Sequence, residues 1–205
     1  MAKVPEHSEI QNVFAMNEPL HMVAKLMWEL ENLTKSMSVW TDNKGYPVPI
    51  FAAFNTAITA WHITDWLWQS NPQTRAVLAR RYDFTFNEWK PKDLRAALGR
   101  FQNAVARDSR ALHICREIAN GSKHMRTDKA DPNVKAVAKW DPVVEGVGLV
   151  KPGDLVMSLT ILDGEQTHDA ARLFIQAFGY WEYLFTKEKL TIGKTRLPDK
   201  FIKSS

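Results

Sequence analysis

The sequence has a single cysteine, Cys115, among its 205 residues. A disulfide framework within the chain and a cysteine-rich zinc site are both excluded, because each needs several thiols. The sequence also lacks an uncharged apolar run of about 18 residues, the length typical of a membrane span. The nearest approach, residues 49–63, is shorter and contains Asn55 and His62. Residues 1–6 have no apolar secretory core, so we expect a cytoplasmic protein without a membrane partner.

Familiar catalytic motifs are missing as well. The chain contains no glycine-rich phosphate loop, no nucleophile elbow and no His-Glu-x-x-His sequence. No cofactor is therefore predicted. Hydrophobic residues make up 45% and charged residues 24% of the chain, proportions that are typical of a soluble globular domain.

The positive charge of the chain is concentrated at its end. The formal net charge is +4, and residues 187–205 supply all of it, since residues 1–186 contain equal numbers of basic and acidic groups. We predict a single domain over residues 1–186 followed by a basic tail over 187–205. Such a tail is suited to contact RNA, DNA or an acidic protein, and the alternative is a solvated terminus that aids solubility.

Apolar residues recur at spacings of three and four along most of the chain, which predicts a mainly helical protein. The predicted helices span residues 17–39, 49–70, 73–82, 91–121 and 167–186. The first begins at a cap residue, an acid and Pro19, and Thr167 or a neighbour caps the last. The second is apolar on nearly every side, as expected of a helix inside a bundle.

The periodicity changes to two after residue 133. Strands are predicted at residues 134–140, 143–150 and 155–162, separated by turns that contain proline and glycine. The predicted fold is an up-and-down bundle of four long helices and a short one. A small antiparallel sheet, at about residues 134–162, is inserted before the last helix.

A polar stripe near the end of the fourth predicted helix is the first candidate site. On a helix, the members of this stripe fall within about 60° of one another. The stripe consists of His113, Glu117, Asn120 and His124. Arg116 and Lys123 lie at its edge, and the apolar side, which includes Cys115, faces the other way.

The second helix carries a polar line that we expect to meet polar groups on a neighbouring helix, because buried polar groups need partners. This line contains Asn55, His62 and Gln69, with Asp65 close to His62. Three interpretations of the two polar regions remain open. They form a cleft or subunit interface that handles phosphate, a metal site, or an ordinary solvated surface. The metal site would use His62, Asp65, Glu117 and His124.

Around these residues the chain resembles the HEPN-type helical domains of bacterial defence and toxin systems. The resemblance covers residues 18–125 and 168–186, and it rests on the helical bundle and on a run from an arginine to a histidine in a late helix. In that family, an arginine followed after four to six residues by histidine forms a metal-independent ribonuclease site across a dimer interface. Arg107 and His113 have this spacing.

The resemblance implies roles for the candidate residues. His124 or His113 would be the general base or acid at a ribose 2′-hydroxyl or the leaving oxygen. Arg116 and Lys123 would stabilise transition-state charge, and Asn120 would position the phosphate. His62, Asp65 and Glu117 would support the site.

Other functions remain open beside a ribonuclease or an RNA- or nucleotide-binding component of a defence or toxin system. Many members of the family lack the motif and act as scaffolds, so the chain is alternatively a non-catalytic protein–protein interaction module of such an assembly. A large exposed aromatic patch would favour this alternative. A metal-dependent helical-bundle enzyme is the third hypothesis. A homodimer is expected.

Overall fold

The computed structural model describes residues 18–39, 47–123, 131–142 and 155–190. This part of the chain is mainly helical, with a small antiparallel sheet before the last helix. The helices are α1 (Pro19–Val39), α2 (Val48–Ser70), α3 (Pro72–Arg81), α4 (Pro91–Asp108), α5 (Arg110–Lys123) and α6 (Ala170–Lys187). The strands are β1 (Val134–Pro142), β2 (Leu155–Asp163) and β3 (Gln166–Asp169).

Local sequence chemistry explains several helix starts. Proline occupies the first turn of α2, α3 and α4, where its missing N–H costs no hydrogen bond. The side chain of Asn71 caps α3, because its Oδ1 accepts a hydrogen bond from the backbone N–H of Thr74 at 2.8 Å. The helix bounds predicted from the sequence agree with those of α1, α2 and α3 to within two residues.

The helix predicted over residues 91–121 is wrong as a single element, since the structure has two helices that meet at Ser109. This residue has extended backbone angles, with φ −132° and ψ 108°. Its hydroxyl oxygen accepts a hydrogen bond from the N–H of Leu112 at 3.3 Å, as a serine at a helix start does. Arg107 therefore lies in the last turn of α4, while His113 belongs to α5.

The sheet has the strand order β1-β2-β3, and both pairs are antiparallel. Two predicted strands, residues 134–140 and 155–162, are confirmed, and the one at 143–150 lies outside the described residues. The start of the last helix was predicted wrongly. Thr167 is in β3, and Asp169 caps α6 by accepting a hydrogen bond from the N–H of Arg172 at 2.9 Å. Gly164, with φ +59°, makes the tight turn between β2 and β3.

The core lies between α2 and the helices and sheet around it. Trp68 and Trp181 are almost completely buried there. The indole N–H of Trp181 donates a hydrogen bond of 2.9 Å to the carbonyl oxygen of Ala60, which joins α6 to α2. Alternate β2 residues, such as Met157 and Ile161, face the same core. In the described part of the chain, no helix has the length and apolar character needed to cross a membrane.

Candidate functional site

The apolar side of α5 was predicted correctly from its periodicity. Ala111, Ile114, Cys115 and Ala119 are all buried in the core. Burial raises the pKa of the Cys115 thiol, because a thiolate is poorly solvated in an apolar environment. The thiol is therefore protonated and enclosed, and it is not a nucleophile.

On the polar side of α5, the structure brings three predicted residues together. Nη2 of Arg116 lies 3.0 Å from Nδ1 of His113, and Nε of Arg116 donates a hydrogen bond of 3.2 Å to Oε1 of Glu117. A guanidinium can only donate, so Nδ1 of His113 accepts. The His113 proton is consequently on Nε2, which lies 3.0 Å from Oδ2 of Asp131.

Asp131, which precedes β1, is the hub of this cluster and was not singled out from the sequence. Its carboxylate accepts hydrogen bonds from the backbone N–H of Asn133 and from His113 and Arg110. The Asn133 N–H is the main reason that its pKa falls to about 2, and the two side chains lower the pKa further. The carboxylate is therefore ionised at all ordinary pH values. Its own backbone N–H donates to Oε2 of Glu117 at 2.9 Å.

Arg110 extends the cluster from Asp131 to the neighbouring strand β2, whose last residue pairs with Val134 at the same end of the sheet. Its Nε donates a hydrogen bond of 2.8 Å to Oδ2 of Asp163, the last residue of β2, and its Nη2 contacts Oδ1 of the same carboxylate. This bidentate contact lowers the pKa of Asp163. Nε2 of His168, in β3, lies 4.0 Å from Oδ2 of Asp163. We call the set Arg110, His113, Arg116, Glu117, Asp131 and Asp163 the staple, because it joins α5 to the sheet.

Charge balance limits what the staple can bind. Its two guanidinium groups face three carboxylates, so both cations are already paired. An incoming phosphate would have to displace a carboxylate from Arg110 or Arg116. With one carboxylate more than it has cations, the staple is a network of paired charges that fixes the sheet, rather than a preformed anion pocket.

Arg116 also connects α5 to two other helices. Its Nη1 donates a hydrogen bond of 3.3 Å to Oδ1 of Asn103 in α4, and its guanidinium carbon lies 5.7 Å from the ring centroid of Trp61 in α2. This separation is within the range of a cation–π contact. Arg116 consequently has packing partners on three helices.

Of the polar region predicted on α2, Asp65 meets α4, whereas Asn55 and Gln69 of the predicted line are exposed. Nε2 of Gln102 donates hydrogen bonds of 3.2 Å to Oδ1 of Asp65 and to Oγ1 of Thr64. His62 is half-buried and also has an interaction partner. Asp65 and Arg116 therefore contact neighbouring positions of α4, residues 102 and 103.

The remaining predicted residues lie towards the end of α5. Asn120 is exposed there. The side chain of Lys123 and the whole of His124 lie outside the described residues. Within residues 18–123 and 131–190, as far as they are described, no group of three or more histidine, cysteine or acidic side chains has metal-binding geometry. The metal hypothesis involving His124 thus has no cluster in the described part to rest on.

A groove between α1 and α2 is a second candidate site that the sequence analysis missed. Two large aromatic side chains stand at its rim: Trp28 is 62% and Phe51 is 51% exposed. The groove is lined by Trp28, Glu29, Asn32, Val48, Phe51, Ala52 and Asn55. The exposed Trp28 and the half-buried Asn32 are one helical turn apart, a spacing that could have indicated a shared face.

Glu29 is the exception among the groove residues because its carboxylate is buried. Only 5% of its side chain is exposed. Nζ of Lys25 contacts its Oε1 and also donates a hydrogen bond of 2.6 Å to Oγ1 of Thr59. The other oxygen, Oε2, has no hydrogen-bond partner among the described residues.

A separate apolar cavity of about 210 Å³ lies between the sheet and the helices. Small side chains leave this space open, since Ala136 and Ala138 stand opposite Ile161 and Leu159 on the face of the sheet that meets the core. Ala53 of α2 is on the far wall. The lining has one polar side chain, a threonine.

The chain was compared with known proteins at three levels. No family model, no curated protein and no solved structure matches it. Its function therefore has to be inferred from the residues and their geometry.

Proposed function

We propose that this protein is a non-catalytic protein–protein interaction module, a cytoplasmic component of a multi-protein assembly. The observation that carries this proposal is the exposed aromatic face along the groove between α1 and α2. Trp28, Val48 and Phe51 line one groove, and Phe54 continues the exposed face of α2 one turn further on. Exposed aromatic residues clustered beside a groove are typical of protein interfaces.

The energetics favour a partner on this face. Tryptophan is among the residues that contribute most to binding when a partner buries it, often about 2 kcal/mol or more. Trp28 has the larger part of its surface still available for such burial. The polar lining residues at 29, 32 and 55 would set the orientation of the partner.

The staple supports a structural role for the polar stripe. Its guanidinium and carboxylate groups contact one another, and they hold the sheet on α5. With Arg110 and Arg116 paired, the staple needs no ligand to be stable. In an interaction module, the staple residues would have this structural role, which is to hold the sheet on α5.

The proposal is tested with a double substitution, Trp28→Ala with Phe51→Ala. The matched control is Trp89→Ala, because Trp89 is 90% exposed but lies outside the groove. Self-association of each variant is measured by light scattering over a range of concentrations. A partner that co-purifies with the natural protein is identified and produced, and its affinity for each variant is measured with purified components.

We expect the double variant to bind the purified partner, or a second copy, at least tenfold more weakly, and the Trp89 variant to be unaffected. If the double variant and the control bind alike, the aromatic face is not the interface. Circular dichroism of each variant shows that the loss of binding is not a loss of fold.

A ribonuclease of the HEPN type is the second candidate. The observation that favours it is the Asp131–His113 pair, since a carboxylate on Nε2 orients the ring with Nδ1 towards Arg116. Three features are proposed together with this activity. They are membership of the HEPN family, a homodimer, and an up-and-down bundle of four long helices and a short one. RNA cleavage that persists with a chelator but is lost in His113→Ala or His124→Ala supports it. Absence of both cleavage and RNA binding contradicts it.

A further inference from the structure

We propose that the groove between α1 and α2 recognises an arginine side chain of a partner protein. The inference rests on the proposed interaction module and names the chemistry that the partner brings. The groove combines a buried carboxylate, two amides and an exposed indole, and a guanidinium complements all of these groups.

The buried carboxylate oxygen is the strongest reason to expect a donor from outside. Oε2 of Glu29 is buried and has no hydrogen-bond partner among the described residues. A buried carboxylate oxygen without a donor is costly, and a ligand that supplies one gains the corresponding free energy. Trp28 and Asn32 line the same groove as Glu29, and a ligand reaches this buried oxygen only after one of these two side chains changes rotamer.

Two amides extend the set of acceptors. Asn32 of α1 and Asn55 of α2 both line the groove, and their side chains make no hydrogen bond to any residue of the described ranges. Each amide presents a carbonyl oxygen to a donor. A guanidinium has five N–H groups in one plane, enough for the Glu29 oxygen and both amides.

The aromatic rim favours arginine over lysine. The planar guanidinium stacks on an indole face while it still donates in its own plane, whereas an ammonium acts as a compact, strongly hydrated charge. Trp28 lies next to Glu29 in α1 and lines the same groove. Stacking on Trp28 and donation to Glu29 are thus compatible in one bound side chain.

The charge of the lining favours a basic protein over a nucleic acid. Glu29 is the one charged residue among those that line the groove. A carboxylate repels a phosphate, and the nearest cation, Lys25, is already bound to Glu29 and Thr59. An arginine of a protein partner has to approach Oε2, the oxygen that Lys25 does not contact, because the Lys25 ammonium occupies the side of Oε1.

The experiment titrates the intact protein with N-acetyl-arginine N-methylamide. Binding is followed by NMR at the Trp28 indole N–H, whose signal is assigned from its loss in Trp28→Phe. Matched probes are the citrulline analogue, which has the same shape without the charge, the lysine analogue and adenosine monophosphate. The variants are Glu29→Gln, Asn55→Leu and the control Trp89→Ala.

We expect the arginine probe to bind roughly tenfold more tightly than citrulline, because hydrogen bonds to charged groups are the stronger ones. Glu29→Gln abolishes that preference and Trp89→Ala keeps it. Asn55→Leu is the second variant, needed if Glu29→Gln does not fold, because Asn55 is on the exposed side of α2. We expect Asn55→Leu to weaken arginine binding severalfold. Equal binding of arginine and citrulline, no binding of arginine, or tighter binding of adenosine monophosphate overturns the inference.

This outcome is separable from the test of the proposed function. If a purified partner binds the natural protein and Glu29→Gln equally but not the Trp28 and Phe51 double variant, the interaction module stands and the arginine site is wrong. If arginine binds with the expected selectivity while no partner depends on the aromatic face, the site stands and the module is wrong.

Discussion

The substitution Asp131→Asn tests whether the staple holds the sheet on α5. Asparagine keeps an oxygen for the backbone N–H of Asn133 but removes the charge that Arg110 and His113 contact. We therefore expect the free energy of unfolding to fall at neutral pH. The sheet is the element whose attachment depends most on this contact.

The size of the effect follows from the pKa of the carboxyl group. Its value in the folded protein is about 2, against an ordinary value of 3.8. A shift of this size corresponds to at most about 2.5 kcal/mol. Asparagine keeps an acceptor for the Asn133 N–H, the main cause of the shift, and water screens part of the interaction because 19% of the side chain is exposed. We therefore expect about 1–2 kcal/mol. In a chain of this length, that is a decrease in melting temperature of roughly 2–8 °C.

The sign of the pH dependence is fixed by the same pKa. A carboxyl group with a lowered pKa in the folded state stabilises the protein above its ordinary pKa, and this contribution is lost as pH falls through the folded value. The difference between the natural protein and Asp131→Asn should therefore be constant above about pH 4 and shrink towards pH 2.

Urea unfolding at several pH values, followed by circular dichroism, measures this difference. Glu165→Gln is the control, because Glu165 is exposed in the turn between β2 and β3. If Asp131→Asn has the same free energy of unfolding as the natural protein at pH 7, the staple does not stabilise the fold. A difference that is the same at pH 2.5 and pH 7 would refute the electrostatic origin.

Three further predictions concern other parts of the fold. Arg75→Met leaves Glu88 without its buried partner and should lower the free energy of unfolding by about 2–3 kcal/mol in urea denaturation. Ala138→Leu fills part of the apolar cavity, so the free energy of unfolding should rise by about 1 kcal/mol. A thermal melt measures this gain as a higher melting temperature. The hydroxyls of Tyr82 and Tyr180 are 2.5 Å apart, and burial raises both pKa values. Both should stay neutral above pH 10 in a near-ultraviolet titration, and the stability due to the neutral pair should be lost as pH rises further.

Each of these predictions has a control. Glu31→Gln breaks an exposed ion pair with Lys35 at 3.8 Å, so it should cost less than about 0.5 kcal/mol. Both Ala138 and Ala96 are exposed, but Ala96, in α4, does not line the apolar cavity, so Ala96→Leu adds the same atoms with no expected gain. Tyr82→Phe should remove one delayed titration step. A lower melting temperature in Ala138→Leu would show that the cavity cannot accept the side chain without moving the sheet.

The extent of sequence-based prediction is clear at α5. The spacing of its apolar residues was enough to place Cys115 in the core and Arg116 on the polar side. The interruption at Ser109 was not recognised, because a serine within an apolar period satisfies both a continuous helix and a capped one. The extended backbone of Ser109 shows that a second helix starts there, so the continuous helix is excluded.

The candidate sites were predicted less completely than the elements. His113, Arg116 and Glu117 share one helix, so helical geometry alone placed them together. Asp131 precedes β1 and Asp163 ends β2, and the antiparallel pairing of Val134 with Asp163 puts both carboxylates at one end of the hairpin. Nothing in the local sequence showed that Arg110 of α5 would lie at this end and contact both. The groove was missed because its two walls come from different helices.

What the sequence by itself determined is the type and approximate extent of most elements and the side that they turn towards the core, but not the break at Ser109 or the strand β3. These properties depend on residues a few positions apart, which periodicity and capping residues encode. What only the tertiary structure decided is which polar groups find one another. The pairing of Arg110 with Asp163, and the buried Glu29 oxygen left without a donor, depend on how separate elements pack. Packing between distant segments has no local signature, since it results from the fit of whole faces.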